Sequence, residues 1–370
     1  MANFSQYQVK RIDTVDKFLA LKEEWTDLAG RVPELSIFLT WEWGSVWWKH
    51  FGKGLELFVL VARDNAGRLK GIAPLVKGCW PWQYFGLRYI RFLGHGIVYP
   101  IDMGVIVEPK ESEPVLKVLS EYLLLHRKEW DFLDMKGVVA RTHFEKYLSN
   151  AGGLPLERAP TVCPVVALTG DWSSFFKGLD RKFRQKLRSS GASIERDHPG
   201  QVLFHRVSSV DELFQGFESL VAMRKACKDD TSFHDNQFVA FHQEVMRVLL
   251  ERDWLRFYEL RIKGQTIAAM YCYRCHDVFC AYQAGFDLEW SRYNPGHLLA
   301  AHVIREAIAE NVSEFNWLGG DQRYKYHWTP ESRVSPHFIF TSGVWGRLVV
   351  SAYRNIRRMK DKKKRAVIQV

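Results

Sequence analysis

Ser291-Arg292-Tyr293-Asn294-Pro295-Gly296-His297-Leu298 is the stretch on which the reading of this chain turns. It runs from a loop into a helix. Pro295 suits the first helical turn, where a missing N–H costs nothing. Asn294 precedes it in the N-cap position. Gly296 lets a ligand come close to the backbone. A helix start offers unpaired N–H groups, and with Arg292 beside them they form a cradle for an anion such as phosphate or pyrophosphate. An ordinary capped helix accounts for this segment equally well on its own. The residues that follow tip the balance. His297–Glu310 has the spacing of an apolar helix and Glu314–Trp317 that of a short strand. Next comes Gly319-Gly320-Asp321-Gln322-Arg323-Tyr324-Lys325-Tyr326-His327-Trp328.

Upstream, Trp254–Ile262, Gln265–Arg274 and Asp277–Gly285 read as a three-strand meander with tight turns at Lys263-Gly264 and His276-Asp277. Gln201–Val207 reads as a strand, and Asp211–Cys227 and Gln237–Leu250 as helices. A long helix beginning at Asp171-Trp172-Ser173 carries the basic run Arg181-Lys182-Phe183-Arg184-Gln185-Lys186-Leu187-Arg188. Basic residues at three- and four-residue steps share a face, which is either solvated or lines a phosphate cleft. Leu154–Pro164 holds three prolines and no clear period, and the domain boundary is placed there.

The first half repeats the pattern. Val15–Leu28 and the segment capped by Thr40, with Trp43, Val46 and Trp47 on one face, read as helices. An aromatic stripe at that spacing is more often core than binding surface. Leu55–Ala62 and Arg68–Lys77 form a hairpin about Asp64-Asn65-Ala66-Gly67. Strands are expected at Leu87–Leu93, Met103–Val107 and Asp131–Met135, with helices at Val115–Arg127 and Arg141–Asn150. Strand, strand, strand, helix, strand thus occurs twice. The fold expected is α/β (α+β): two tandem units, each a mixed, mostly antiparallel sheet flanked by helices. The units are placed at 1–160 and 161–345, followed by a basic tail at 346–370.

Composition narrows the function classes. The 370 residues are 47% hydrophobic and 14% aromatic, enough for a large core and incompatible with global disorder. No run of about 18 apolar residues is present, so no spanning helix is expected. The N-terminal MANFSQYQVKRID lacks the apolar stretch of a leader, which sets the expectation of a cytoplasmic protein. The six cysteines offer one close pair, Cys272 and Cys275, inside a strand pattern, where positions three apart face opposite sides. No metal site is expected. The net charge is +10, of which +7 falls between Arg354 and Arg365. That tail is a solvated terminus or a contact for an anionic membrane surface, such as the inner membrane face, or for nucleic acid.

A meander, a loop with an anion-binding helix start and a further strand resembles the layout of GNAT-type acyltransferases. The resemblance is strongest to the FemAB-like acetyltransferases, which include a CelD-type group associated with cellulose and exopolysaccharide biosynthesis. It rests on Tyr282-Gln283-Ala284-Gly285-Phe286-Asp287, on Tyr293-Asn294-Pro295-Gly296, and on Gly320-Asp321 with Tyr324-Lys325 and Trp328. The basic helix around Arg184 and Thr40-Trp41-Glu42-Trp43 also carry it. The Arg/Gln-x-x-Gly-x-Gly/Ala loop of ordinary GNAT proteins is missing.

The resemblance implies two GNAT units side by side. It also implies transfer of an acyl group from acetyl-CoA or another acyl-CoA to an amine or hydroxyl of a sugar, polysaccharide precursor or amino-acid-like acceptor. Arg292, Tyr293, Asn294, Pro295, Gly296, His297 and Leu298 would hold the donor. Asp321 is the candidate base or amine-orienting group, and Tyr324 or Tyr282 the candidate acid for the leaving thiolate. Arg184, Lys325, Trp328 and Trp43 are candidates for substrate contact. Two alternatives stay open: a Fem-type transferase using charged tRNA, and a catalytically silent scaffold recruited by its basic tail.

Overall fold

The computed structural model describes residues 6–33, 35–80, 86–138, 144–150, 154–227, 232–341, 343 and 348. The basic tail lies outside the described residues. β1 (Tyr7–Ile12) leads to α1 (Val15–Ala20), α2 (Lys22–Gly30) and α3 (Trp41–Phe51). Then come β2 (Glu56–Leu57), β3 (Val59–Asp64), β4 (Leu69–Ala73), β5 (Leu75–Cys79), β6 (Arg88–Phe92), β7 (Ile106–Val107), α4 (Ser112–Leu125), β8 (Phe132–Lys136) and α5 (Phe144–Asn150). β9 (Leu154–Ala167) crosses to the second half. There α6 (Trp172–Gly178), α7 (Arg181–Asp197), β10 (Val202–Arg206), α8 (Val210–Lys225) and α9 (Asn236–Glu251) precede the meander β11 (Leu255–Ile262), β12 (Gln265–Cys275) and β13 (Val278–Phe286). The chain ends through α10 (Pro295–Ala309), β14 (Glu314–Asn316) and β15 (Ser332–Thr341).

The expected class is present: two α/β units with mixed sheets flanked by helices. What the sequence reading did not expect is how they are joined. One eleven-stranded sheet runs β10-β11-β12-β13-β14-β9-β15-β8-β6-β5-β2, and β1-β3-β4-β7 forms a second sheet. β9 pairs with β14 through Val165–Ala167 and with β15 along the rest of its length. The boundary placed at residue 160 therefore falls inside a strand. β15, assigned to the second unit by order, pairs with β8 of the first from His337↔Lys136 to Thr341↔Phe132.

Three local differences have simple causes. The helix expected over Val15–Leu28 is two helices, with Leu21 between them donating its N–H to Phe18 at 3.1 Å. The long helix from Asp171 is also two. Leu179 is extended, and the Asp180 carboxylate accepts from the amides of Lys182 (2.9 Å) and Phe183 (3.0 Å), starting a new helix. Of the strand expected over Met103–Val107, only Ile106–Val107 pairs as a strand, and Met103 bridges Val138 instead.

The aromatic stripe of α3 packs inward. Thr40 caps that helix by accepting from the Trp43 amide; Trp43 is fully buried among Phe38, Phe241 and Tyr273, and Trp47, also buried, packs against Phe51. Packing rings edge to face at such distances adds to the burial term. Among the described residues, no helix is long and apolar enough to cross a membrane.

Candidate active site

The site is made where two parallel strands part. β13 and β14 pair only at Val278↔Glu314, Phe279↔Phe315 and Cys280↔Asn316. Past that point β13 runs on to Phe286 while β14 ends. In β13, Tyr271 of β12 faces Gln283 and Cys272 faces Ala281, so Tyr282 is the extra residue of a bulge. Bulges redirect side chains and are common beside active sites. On the other side, the turn after β14 is stapled from several directions. Leu318 has φ +54° and donates its N–H to Asn316 Oδ1 at 2.8 Å. The amides of Trp317 and Gly320 donate to Pro164 and Val162 of β9, both at 3.0 Å. Lys325 Nζ donates to the carbonyls of Trp317 and Gly319, each at 3.0 Å.

A cleft of two lobes fills this opening. The polar lobe, about 590 Å³, is walled by Val98, Tyr99, Ile101 and Lys136 of the first unit and by Tyr282, Gln283, Gly319, Gln322 and Lys325 of the second. The apolar lobe, about 580 Å³, is walled by Met223, Met270, Ala284, Phe286, Leu299 and Ala300 and ends on Ser291, Asn294, Gly296 and His297. Arg224, Cys227, Trp317 and Tyr324 border both lobes. α8 presses closely on the floor: a Cβ at Gly285 would meet Leu220 Cδ1 at 3.0 Å and Met223 Cβ at 3.2 Å.

The donor segment is placed as a wall of the apolar lobe, but its side chains behave differently from the sequence reading. Asn294 has φ +51° and gives α10 no side-chain cap; its Nδ2 donates to Ser190 Oγ of α7 at 3.0 Å. The amides of His297 and Leu298 both donate to the Asn294 carbonyl, at 3.0 and 3.2 Å, so they are not unpaired. Tyr293 is buried and donates its hydroxyl to Asp197. Arg292 leans over the Tyr293 ring and is 71% exposed, outside the lobe lining. Pro295 and Leu298 are buried in the core at the start of α10. His297 is held near a pKa of about 4 by burial and by the neighbouring Lys186 and His327 charges, so it is a neutral imidazole at neutral pH.

The remaining candidates divide. Tyr282, Tyr324 and Lys325 meet at the cleft. Burial holds the Tyr282 phenol well above its ordinary value of 10, and its hydroxyl donates to the Val98 carbonyl. Desolvation lowers Lys325 to about 8. Lys325, expected to meet a phosphate, is instead buried and bonded to carbonyls. Asp321, expected to project into the cleft, lines neither lobe; it is exposed and accepts from the Tyr326 hydroxyl at 2.6 Å. Arg184 closes the end of α6 by donating to the carbonyls of Lys177 and Leu179. Trp43 and Trp328 are core residues, the latter packed against Phe183 and Trp317.

The sequence reading missed Met223, Arg224 and Cys227 as neighbours of the cleft. Nothing local marks them, since their place depends on α8 folding back across β13. Among the described residues no three His, Cys, Asp or Glu side chains gather to hold a metal ion. All six cysteines are free thiols.

Strand, bulge, loop, helix and splayed parallel partner lie within one continuous segment, and residues 181–326 match the family described as Acetyltransferase (GNAT) domain. This segment is similar to a GNAT-type domain. The likeness in fold reaches well beyond it. A crystal structure of FemX is similar over 90% of this chain and 97% of its own, with a TM-score of 0.62 at 11% identity. A conserved protein of unknown function from Bacteroides thetaiotaomicron VPI-5482 is similar over 90% of this chain and 100% of its own, with a TM-score of 0.58 at 12% identity. L-PGS from Bacillus licheniformis is similar over 86% and 96%, with a TM-score of 0.50 at 11% identity. At such identities the shared property is the two-unit fold, whose second part holds the matched segment. No curated protein matched the chain.

Proposed function

We propose that this protein transfers an acyl group, acetyl in the first instance, from acyl-CoA to an amine or hydroxyl of a sugar, polysaccharide precursor or amino-acid-like acceptor. The observation that carries the reading is the joined pair of lobes: an apolar channel ending at Gly296, opening past the bulged Tyr282 into a polar chamber. An apolar channel of this size suits the thioester arm, and this reading puts the phosphates at its Gly296 end. Lys186, close enough to depress the His297 pKa, adds positive charge beside them.

The chemistry follows from what is present. Among the described residues no carboxylate lines either lobe. The acceptor amine therefore enters neutral or gives up its proton to solvent, and the rate comes chiefly from holding amine and thioester together. A phenol held well above 10 is a reluctant acid for a thiolate whose conjugate acid sits near pKa ~8.5. Tyr282 thus acts by hydrogen bonding and by shaping the junction between the lobes. Lys325 acts through the carbonyls of Trp317 and Gly319, setting the position of the facing wall. The basic tail is assigned to an anionic surface at the inner membrane face.

Calorimetric titration with acetyl-CoA, longer acyl-CoAs and free CoA tests the donor. Saturable binding is expected, and Gly296→Glu weakens it at least tenfold, about 1.4 kcal/mol, by placing bulk and negative charge at the phosphate end. Wild-type affinity in that variant, or no binding by a folded wild-type sample, removes the donor assignment. Charged tRNA then becomes the next ligand to titrate. Truncation after Tyr353 is expected to abolish binding to anionic vesicles and to leave acetyl-CoA binding intact.

A further inference from the structure

The two units are built alike, yet among the described residues the parting strands of the first unit enclose side chains where those of the second border a cleft. In the first unit the parallel pair is β6 and β8, matched at Tyr89↔Phe132, Ile90↔Leu133 and Arg91↔Asp134. α4 lies in the crossover between them, as α10 lies between β13 and β14. Past Arg91 and Asp134 the pairing stops.

Here the gap is filled from within the chain. On the β8 side, the Met103 N–H donates to the Gly137 carbonyl at 2.6 Å, and Met103 forms a parallel bridge with Val138. On the β6 side lies Gly94, with φ +91°. A Cβ there would come within 2.9 Å of Trp43 Cδ1 and 3.7 Å of Met103 Cε. Trp43 Nε1–H donates to the Gly94 carbonyl at 3.4 Å. Trp43 and Met103 are both 0% exposed. An indole and a thioether therefore occupy the position between β6 and β8 that is cavity between β13 and β14.

We propose that the first unit takes up no donor and that the chain binds a single acyl-CoA, at the Gly296 cleft. This rests on the donor reading above. Trp43 and Met103 stand in the first unit where the thioester arm lies in the second. The segment that carries Met103 inward does a second job. Its other face, Val98–Ile101, is a wall of the polar lobe: the Val98 carbonyl accepts from Tyr282, and Ile101 Cδ1 lies 3.1 Å from the place of a Cβ on Gly319. Filling one cleft is what builds the acceptor side of the other. A close-packed interior tolerates such an exchange only when the filling side chains match the space, as two large apolar groups do here.

Native mass spectrometry and calorimetry of the full chain with acetyl-CoA and with free CoA test the count. One ligand per chain is expected. Gly296→Glu is expected to lose it, and so is Ser291→Glu, which brings the charge to the exposed turn at the lobe without altering the helix. Circular dichroism confirms that both variants are folded. Two ligands per chain, with one retained in each variant, overturn the proposal and leave the donor reading standing. One ligand retained at full affinity in both variants, or none in the wild type, overturns the donor reading and the proposal together.

Discussion

Desolvation takes Lys325 from an ordinary value of 10.5 to about 8, because the residue is 4% exposed and its ammonium faces backbone carbonyls rather than a carboxylate. Between pH 8 and 10.5 the unfolded chain therefore holds a proton that the folded chain has released. Stability rises with pH across that window and is lowest, as far as Lys325 is concerned, below it. The rise is on the order of 3 kcal/mol. Urea unfolding of the wild type and of Lys325→Met at pH 8 and at pH 10.5 measures it: the rise is expected in the wild type and reduced in the variant. Equal rises would mean that Lys325 titrates normally. Other residues of the site differ in how readily they could be read. Pro295 announces a helix entry by its fixed φ and Gly296 a close approach by its missing side chain, properties no partner alters. Arg184 and Asp321 announce only charge. Where that charge goes depends on the carbonyl of Leu179 and on the hydroxyl of Tyr326, and neither pairing follows from composition.

At the scale of the element, α10 is fixed at both ends. Its start is tied to α7 through Asn294 and Ser190. Just past its end, Glu310 accepts from Arg256 (2.9 Å to each oxygen), Arg274 (2.8 Å) and Arg206 (3.2 Å), reaching across β11 and β12. Arg256 is 2% exposed, so removing the carboxylate leaves a buried guanidinium with Asp253 and the Leu255 carbonyl as its remaining partners. Glu310→Gln is expected to lower stability by roughly 3–5 kcal/mol. Denaturant unfolding checks it, and a change below ~1 kcal/mol would show that the network is solvated. The meander before α10 was legible because alternation and two tight turns set its period. β9 was not, and its prolines explain why. Pro160 and Pro336 meet at the irregular point of the β9–β15 ladder, between Ser335↔Thr161 and His337↔Arg158. A residue without an N–H is tolerated where the ladder skips a step, but in the sequence it reads as a break. Pro164 likewise serves as an acceptor, for the Trp317 amide.

Across the whole molecule, each unit holds a buried histidine whose charged form burial disfavours. His95 in the first unit and His242 in α9 both fall to about 3, from an ordinary 6.5. Below pH 6.5 the unfolded chain takes up protons at both sites while the folded chain does not. Stability is therefore lost as pH falls from 6.5 toward 3, and is fully present above 6.5. Thermal or urea unfolding against pH is expected to show this acid decline, with a shallower slope in His242→Phe. An unchanged slope would place the decline on other groups. The doubling of the fold was legible as two runs of strands with a helix before the last. The union of the two sheets was not, because it is made by β9 and β15, which are far apart in sequence and carry no mutual signal.

That union also bears on how the chain can be handled. A gene fragment ending at residue 160 would stop in the middle of β9. It would leave β8 without β15 and present two long unpaired edges, the kind that join with copies of themselves. A fragment beginning at residue 161 would keep β14 but lose half of the strand on which β15 lies. The repeat that looks modular when written as letters offers no seam at which to divide it. The proposed donor cleft and the polar lobe beside it, although lined mostly by the second half, need both units.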